Sequence, residues 1–454
     1  MLPDLKKIIS RIDADYSDLR YEIKNETRIT FRGEEINQLS SNTTDGYVLR
    51  VLKNGGLSTI AFTNLKELEK AIFTVCENAA LSARHSSSAF KLAPVNALAD
   101  RFIPELDEDP ANVSIDEKLD LTRKYNSIPM KEKNILTTYL EYLEVARHKF
   151  FVSTDGLEIE EKITINRING LITSSDGHFM QNIRVGIGGS NGFSTLRNQE
   201  DEFTERTALV LQLLDAKPVQ AGTYDVVLNQ SLAGVFTHEA FGHFSEADLI
   251  QNNPSMRTKM QTGAKLGNDV LNIIDDPTIP DQLGFYKYDD EGIAARPTQL
   301  LKNGVLVGRL HSRYTAADFN EPVNGHCVAE DYRFAPIIRM GTIFIQPGGQ
   351  SEDELLYELK DGLYILDAIG GQTSGENFTF GAQYGYIVRN GKISDMIRDI
   401  NITGNLYNTL QNIVIVGNDL KLSRIGGCGK GQLNIRSCHG APHVLVKGVV
   451  IGGV

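Results

Sequence analysis

Apolar and β-branched residues alternate with polar ones over residues 22–31, 46–52 and 57–62, the period-two pattern of half-buried strands. Between the last two, Asn54-Gly55-Gly56 supplies the backbone freedom of a hairpin turn. The period then lengthens. Leu65, Leu68, Ile72, Val75, Ala79 and Ala80 recur at three- and four-residue steps behind Asn64, which predicts a capped amphipathic helix. Cys76 lies beside that face and reads as a packed core thiol. The polar stretch 93–114, marked by Pro94, Pro104 and Pro110, reads as a connector.

A helix is predicted over 116–127, and 131–136 reads equally as a second helix or as the start of a strand running into 138–142. Over 146–190, short apolar runs alternate with turn residues such as Thr154-Asp155-Gly156 and Arg167-Ile168-Asn169-Gly170, the pattern of an antiparallel sheet. Gly186-Ile187-Gly188-Gly189-Ser190 lacks the helix context and the lysine of a phosphate-binding loop, so it is read as hairpin turns. An amphipathic helix over 200–216 is ended by Lys217-Pro218. A strand at 224–228 then leads into a histidine-bearing helix, and the rest is glycine-rich and strand-rich, at 298–307, 342–346, 385–388 and 413–416. Arg389-Asn390-Gly391-Lys392 is a further hairpin signal. Strands and helices in mixed order predict an α+β fold. The expected subunit is two-lobed: an N-terminal α/β lobe and a larger C-terminal domain of glycine-rich mixed and antiparallel sheet that carries the histidine helix. The expected boundaries are 1–110, 111–220 (a central domain) and 221–454.

Composition narrows the function. A formal charge of -12 leaves no basic excess for a general nucleic-acid binder. No apolar run approaches the ~20 residues that cross a bilayer. The segment Met1-Leu2-Pro3-Asp4-Leu5-Lys6-Lys7 lacks the apolar core of a secretory signal, so a cytoplasmic location is expected. Four cysteines in 454 residues are no disulfide framework. Reduced thiols are then available as metal ligands.

The chemistry concentrates in His238-Glu239-Ala240-Phe241-Gly242-His243. A catalytic zinc takes neutral imidazole, thiolate or carboxylate ligands and keeps one position open. An adjacent carboxylate can then act as general base. His238 and His243 are candidate ligands and Glu239 the candidate base. The histidines are five apart, however, and on a regular α-helix they diverge by ~140°. A π-type turn brings them back towards one face, so a local helix irregularity is predicted, with Gly242 as the residue that permits it. Glu246, three residues on, reads as a residue orienting a ligand, as a fourth ligand or as a solvated acid. The third ligand must come from elsewhere: Cys428, flanked by glycines, and the cluster Cys438, His439 and His443 are equal candidates. Asp275-Asp276 and Asp289-Asp290-Glu291 read as loop acids at turns, and Arg339 as a cation with an internal acid for partner.

Over almost its whole length the chain resembles the TldD/PmbA family of intracellular metallopeptidases, and within it the TldD-like catalytic branch. The resemblance is carried by the 46–62 segment, the string from His238 to Asp248, Asp289-Asp290-Glu291-Gly292, Pro336-Ile337-Ile338-Arg339-Met340, Gly370-Gly371-Gln372-Thr373-Ser374-Gly375, Gly404-Asn405, Val416-Gly417-Asn418-Asp419 and Cys428-Gly429-Lys430. It implies a zinc ion (Zn2+) held by His238, His243 and Cys428 with Glu239 as base. It also implies two-lobed subunits that pair as homodimers, or as heterodimers with a related subunit, and that act on small or unfolded peptides. Some members carry an older label linking them to DNA gyrase. No nucleic-acid or membrane partner is expected. Gly370 and Gly371, like Gly426 and Gly427, suit a site where an extended peptide lies against a sheet. The competing reading is a non-catalytic peptide-binding or regulatory protein with a structural metal; structural zinc usually takes four protein ligands, which favours catalysis for a three-ligand site.

Overall fold

The alternation that begins at Glu22 extends both ways in the computed structural model, which describes residues 1–86, 89–432 and 436–452. Helix α1 (Leu2–Ile9) precedes β1 (Tyr16–Arg32), β2 (Glu35–Lys53) and β3 (Gly56–Phe62), and α2 (Leu68–His85) follows. Asn64 starts that helical stretch, its side chain accepting from the amide of Lys66. The connector holds a strand, β4 (Leu98–Phe102), which the proline-rich composition concealed. Helix α3 (Ile115–Met130) leads to β5 (Ile135–Ser153), β6 (Leu157–Ser175), β7 (Met180–Gly189) and α4 (Glu200–Gln212). The ambiguous 131–136 stretch thus ends as strand. Two turn readings are corrected: Arg167 to Gly170 lies inside β6, and Gly186 to Gly189 lies inside β7. In both places the residues are paired on a neighbouring strand, and that non-local pairing outweighs their turn propensity.

These strands form one sheet in the order β3-β2-β1-β5-β6-β4, with β7 also on β6. β1 pairs with β5 from Asp18↔Ser153 to Arg32↔Tyr139, so the segments before and after residue 110 share a sheet. The two faces differ in kind. Odd positions of β1 point at helices: Leu19 and Tyr21 join Leu5, Val75 and Ala79, while Ile29 and Phe31 join Tyr125 and Phe203. Even positions from Asp18 to Arg28 carry charge, and Arg20 and Lys24 among them reach acids of the C-terminal part of the chain. Asp290 meets Arg20 at 3.1 Å and Lys149 at 3.1 Å, Arg147 holds Glu22 at 2.6 Å, and Arg50 pairs with Asp18 and Glu291. The turn expected at the acids of 289–291 is present but buried: Asp290 and Glu291 are partners in an ionic layer, while Asp289 accepts from the amides of Glu291, Ile293 and Cys327. Burial alone would raise the Asp290 carboxyl, but Arg20, Lys149 and Arg147 hold it well below the usual range.

The C-terminal part is built on an eight-stranded sheet. Five of its strands, Gly362–Ser374, Gly222–Leu228, Val444–Gly452, Ile400–Asn405 and Asn377–Arg389, pair in a closed ring, because the first also pairs with the last. A six-stranded sheet beside it includes Thr342–Ile345 and Cys438–Ala441. One apolar cluster, with Phe236, Phe241, Met340, Ile343 and Phe380 among its members, fills the space between them. The result is a multi-sheet α+β fold. Among the described residues no helix is long and apolar enough to cross a membrane.

Candidate metal centre

The strand Gly222–Leu228 delivers the chain to helix α5 (Gln230–Phe236). Asn229 caps it, accepting from the amide of Leu232 at 3.0 Å, and the same side chain donates to Asp367 at 2.9 Å. The helix start is thereby tied to the strand Gly362–Ser374. At Thr237–Gly242 the helix widens into a π turn, in which the His243 amide donates to the carbonyl of His238. The irregularity expected from the five-residue spacing is present, but its cause differs. Gly242 has ordinary helical angles, φ -57 and ψ -46, so backbone freedom is not what the glycine supplies. A Cβ there would stand 2.1 Å from the Met340 sulfur and 3.0 Å from Ile343 Cδ1. Glycine is needed because the turn is pressed against the six-stranded sheet. Ala240 and Phe241, between the histidines, face the core and are fully buried.

The turn brings His238 and His243 together with ring centroids 5.3 Å apart and planes at 89°. Cys428 arrives from the distant C-terminal segment, its Sγ 3.6 Å from His243 Nε2, and Glu239 Oε2 is also 3.6 Å from that nitrogen. Taking one ligand atom from each of His238, Glu239, His243 and Cys428, all four lie within 4.8 Å of one another. A tetrahedral zinc with its usual bond lengths spaces nitrogen and sulfur donors by about 3.5 Å, so the donor types and separations suit such an ion.

The electrostatics suit a cation as well. Burial alone would depress the His243 pKa, but Cys428, Glu239 and Glu246 together lift it to about 11, so positive charge is favoured at this point. His238, nearly fully buried, is pushed well below its ordinary value by burial and by the neighbouring His439, His243 and Arg339, which keeps it neutral. Its Nδ1 has no hydrogen-bond partner among the described residues.

A buried group of charges supports His243 from behind. Glu246 Oε2 lies 3.2 Å from His243 Nδ1, and Lys430 Nζ donates to the same oxygen at 2.8 Å. Lys430 also bridges to Asp248 at 2.8 Å. Burial opposes charge on Glu246, but His243 and Lys430 lower its pKa. Arg339, fully buried, has Glu246 for its acid, 3.9 Å from its Nε. Lys430 was legible in sequence only as a neighbour of Cys428; its role as a tie between the cysteine loop and the histidine helix appears in three dimensions alone.

The other sequence candidates are dispersed. Cys438 is buried, its Sγ donates to the carbonyl of Ser423 at 3.1 Å, and burial pushes its thiol up to about 12. His443 has both nitrogens engaged, Nδ1 with Asp419 at 2.6 Å and Nε2 with the Tyr364 hydroxyl at 2.7 Å. His439 flanks the centre, its ring 5.8 Å from that of His238, with a pKa held down to about 4 by burial. Gly370 and Gly371 sit past a bulge in the strand Gly362–Ser374, whose Thr373 hydroxyl donates to the main-chain oxygen of Glu239 at 3.3 Å.

Comparison with known proteins agrees in fold and in class. Sequence models of the PmbA/TldA metallopeptidase match the chain over 17–79 (domain 1), 108–215 (central domain) and 221–453 (C-terminal domain). A metalloprotease of Synechocystis sp. is 32% identical over 455 residues, spanning 99% of this chain and 97% of its own. The zinc metalloprotease TldD homolog of Saccharolobus solfataricus is 28% identical over 98% of both chains. Among solved structures, a Thermotoga maritima protein labelled a modulator of DNA gyrase superposes with a TM-score of 0.81 at 22% identity, covering 100% of both chains. TldE from Thermococcus kodakarensis gives 0.77 at 18% identity over 99% of both chains. The chain belongs to the PmbA/TldD family and is a metallopeptidase.

Proposed function

We propose that this chain is a zinc peptidase of the cytoplasm that hydrolyses small or unfolded peptides, with His238, His243 and Cys428 as the metal ligands and Glu239 as general base. The observation that carries the reading is the meeting of two imidazoles, a thiol and a carboxylate within 4.8 Å. The name of the Saccharolobus relative supports zinc as the metal. When bound, the metal supplies Lewis-acid polarisation of the peptide carbonyl and acidifies the attacking water.

The protein's own residues supply the rest. The Glu239 side chain is about a third exposed, so its carboxylate can meet water while its Oε2 stays beside His243. It takes the proton of the attacking water and passes it to the leaving amine. Glu246 accepts from His243 Nδ1 and leaves Nε2 for the metal. The strand Gly362–Ser374 pairs with Gly222–Leu228 at Leu363 to Ile365, and past the bulge no described strand covers that edge beside Glu239. An extended peptide adding there would be held by backbone bonds, with little sequence preference. The likeness to TldE supports pairing with a related subunit, and pairing with a second copy is the other arrangement the reading allows.

The test is peptide hydrolysis by the purified protein and by Glu239→Gln, with bound zinc measured in both. The expected result is a loss of roughly 10²–10⁴-fold in rate at unchanged zinc content. Zinc-loaded wild-type protein whose peptide hydrolysis survives in Glu239→Gln removes Glu239 from the role. A Cys428→Ser protein that keeps its full zinc removes the third ligand.

A further inference from the structure

Between the charged face of the N-terminal sheet and the loop that carries Cys428 lies a cavity of about 60 Å³. Gly426 and Gly427 form one wall, and the next residue is Cys428. That wall is fixed: the Gly427 amide donates to Ser437 at 3.0 Å, Arg167 Nη1 donates to the Gly426 carbonyl, and a Cβ on Gly426 would lie 2.2 Å from the Ser437 oxygen. This wall lies one to two Cα steps from Cys428, at most roughly 8 Å.

Five cations line this space and three are neutralised. Lys24 has Glu26 at 3.0 Å and Asp331 at 3.5 Å, Arg28 has Glu26 and Glu141, and Arg147 grips Glu22 through two bonds of 2.8 and 2.6 Å. Arg167, besides its bond to the Gly426 carbonyl, has Glu141 as its acid at 4.0 Å, and its Nε has no hydrogen-bond partner among the described residues. Arg436 is the extreme case. It is 7% exposed, it stacks on Tyr286 at 4.7 Å, and its Nε and Nη2 have no hydrogen-bond partner among the described residues. Asp290 and Glu161 lie near enough to favour its charge, yet these two nitrogens hydrogen-bond to neither.

We propose that Arg436 and Arg167 form a subsite for a carboxylate of the bound peptide, within about two residues of the bond that is cut. A buried guanidinium with open donors is costly unless an anion completes it, and a carboxylate matches its fork bidentately. The space is enough for a carboxylate. Burial and the nearby Arg147 depress the Arg436 pKa against the opposing pull of Asp290 and Glu161, and an incoming anion adds to that pull. The carboxylate has two sources, the free C-terminus of a short peptide or an Asp or Glu side chain.

This inference rests on the peptidase reading, and its test separates the two. One peptide sequence is offered in three forms: with a free C-terminus two residues past the cleaved bond, with that terminus amidated, and amidated with Glu at the same position. The wild type is expected to favour the free acid over the amide by about tenfold or more in kcat/KM, and the Glu form identifies a side-chain source. Arg436→Lys and Arg167→Gln are expected to narrow that ratio more than they lower cleavage of the amide. Equal cleavage of all three forms by the wild type overturns the subsite and leaves the peptidase reading standing. If no peptide is cleaved, the peptidase reading falls and acetate decides the subsite. At equal ionic strength and pH, acetate in place of chloride is expected to raise the wild-type melting temperature and not that of Arg436→Lys; equal shifts, or none, overturn the subsite on their own.

Discussion

Glu246 Oε2 stands 3.2 Å from His243 Nδ1, and Lys430, two residues beyond Cys428, donates to that same oxygen at 2.8 Å. One carboxylate thus orients a proposed ligand from the helix and anchors the loop that brings another. Glu246→Gln keeps the shape but loses the charge. It is expected to weaken metal affinity by roughly 10–100-fold, measured by chelator competition. Unchanged affinity would show that Lys430 and Asp248 fix the loop without it.

Gly242→Ala tests the close contact behind the π turn. The new methyl would meet the buried Met340 sulfur at 2.1 Å. Alanine's better helix propensity works the other way, by about 1 kcal/mol. Overpacking in a closed core is the larger effect, so a net loss of about 1–2 kcal/mol is expected in urea unfolding. Combined with Met340→Ala, the two changes should cost less than their sum. A Gly242→Ala midpoint equal to wild type would mean that the contact relaxes freely.

His439 should make stability fall on the acid side. Its folded pKa of about 4 is below its ordinary 6.5, so the unfolded chain binds the proton first as pH drops. The contribution is fully present above pH 6.5 and is lost as pH falls through 4, about 3 kcal/mol in all. Urea midpoints of wild type and His439→Gln between pH 7 and 4 check this. The variant should show the shallower decline, and parallel curves would exclude His439 as the source.

Asp290→Ala should strip one acid from Arg20, Lys149 and Arg147 together. Breaking a buried ion pair from one side costs about 3–5 kcal/mol, because the remaining charge stays buried. Equilibrium unfolding measures it. A loss under about 1 kcal/mol would mean that water reaches the ionic layer and screens it.

The strand alternation around Glu22, the Asn64 cap, the hairpin at Asn390-Gly391 and the irregular turn between His238 and His243 were all readable in the chain. Each depends on residues a few positions apart, so period, cap chemistry and spacing are sufficient. The strand inside the connector and the true places of Arg167 to Gly170 and Gly186 to Gly189 were not readable. Their conformation is set by pairing with strands far away in sequence. The histidine string could be read as a metal motif from its donor types alone, whereas Cys428 and Cys438 remained equal until a family resemblance favoured one. What separates them physically is position: Cys438 is sealed in a sheet by Ser423, while Cys428 is carried to His243 on a loop tied down by Lys430 and Arg167. Local chemistry is written in neighbouring residues. Which distant thiol is brought beside His243, and why Gly242 must lack a side chain, follow from how separate sheets pack, and no period along the chain encodes that.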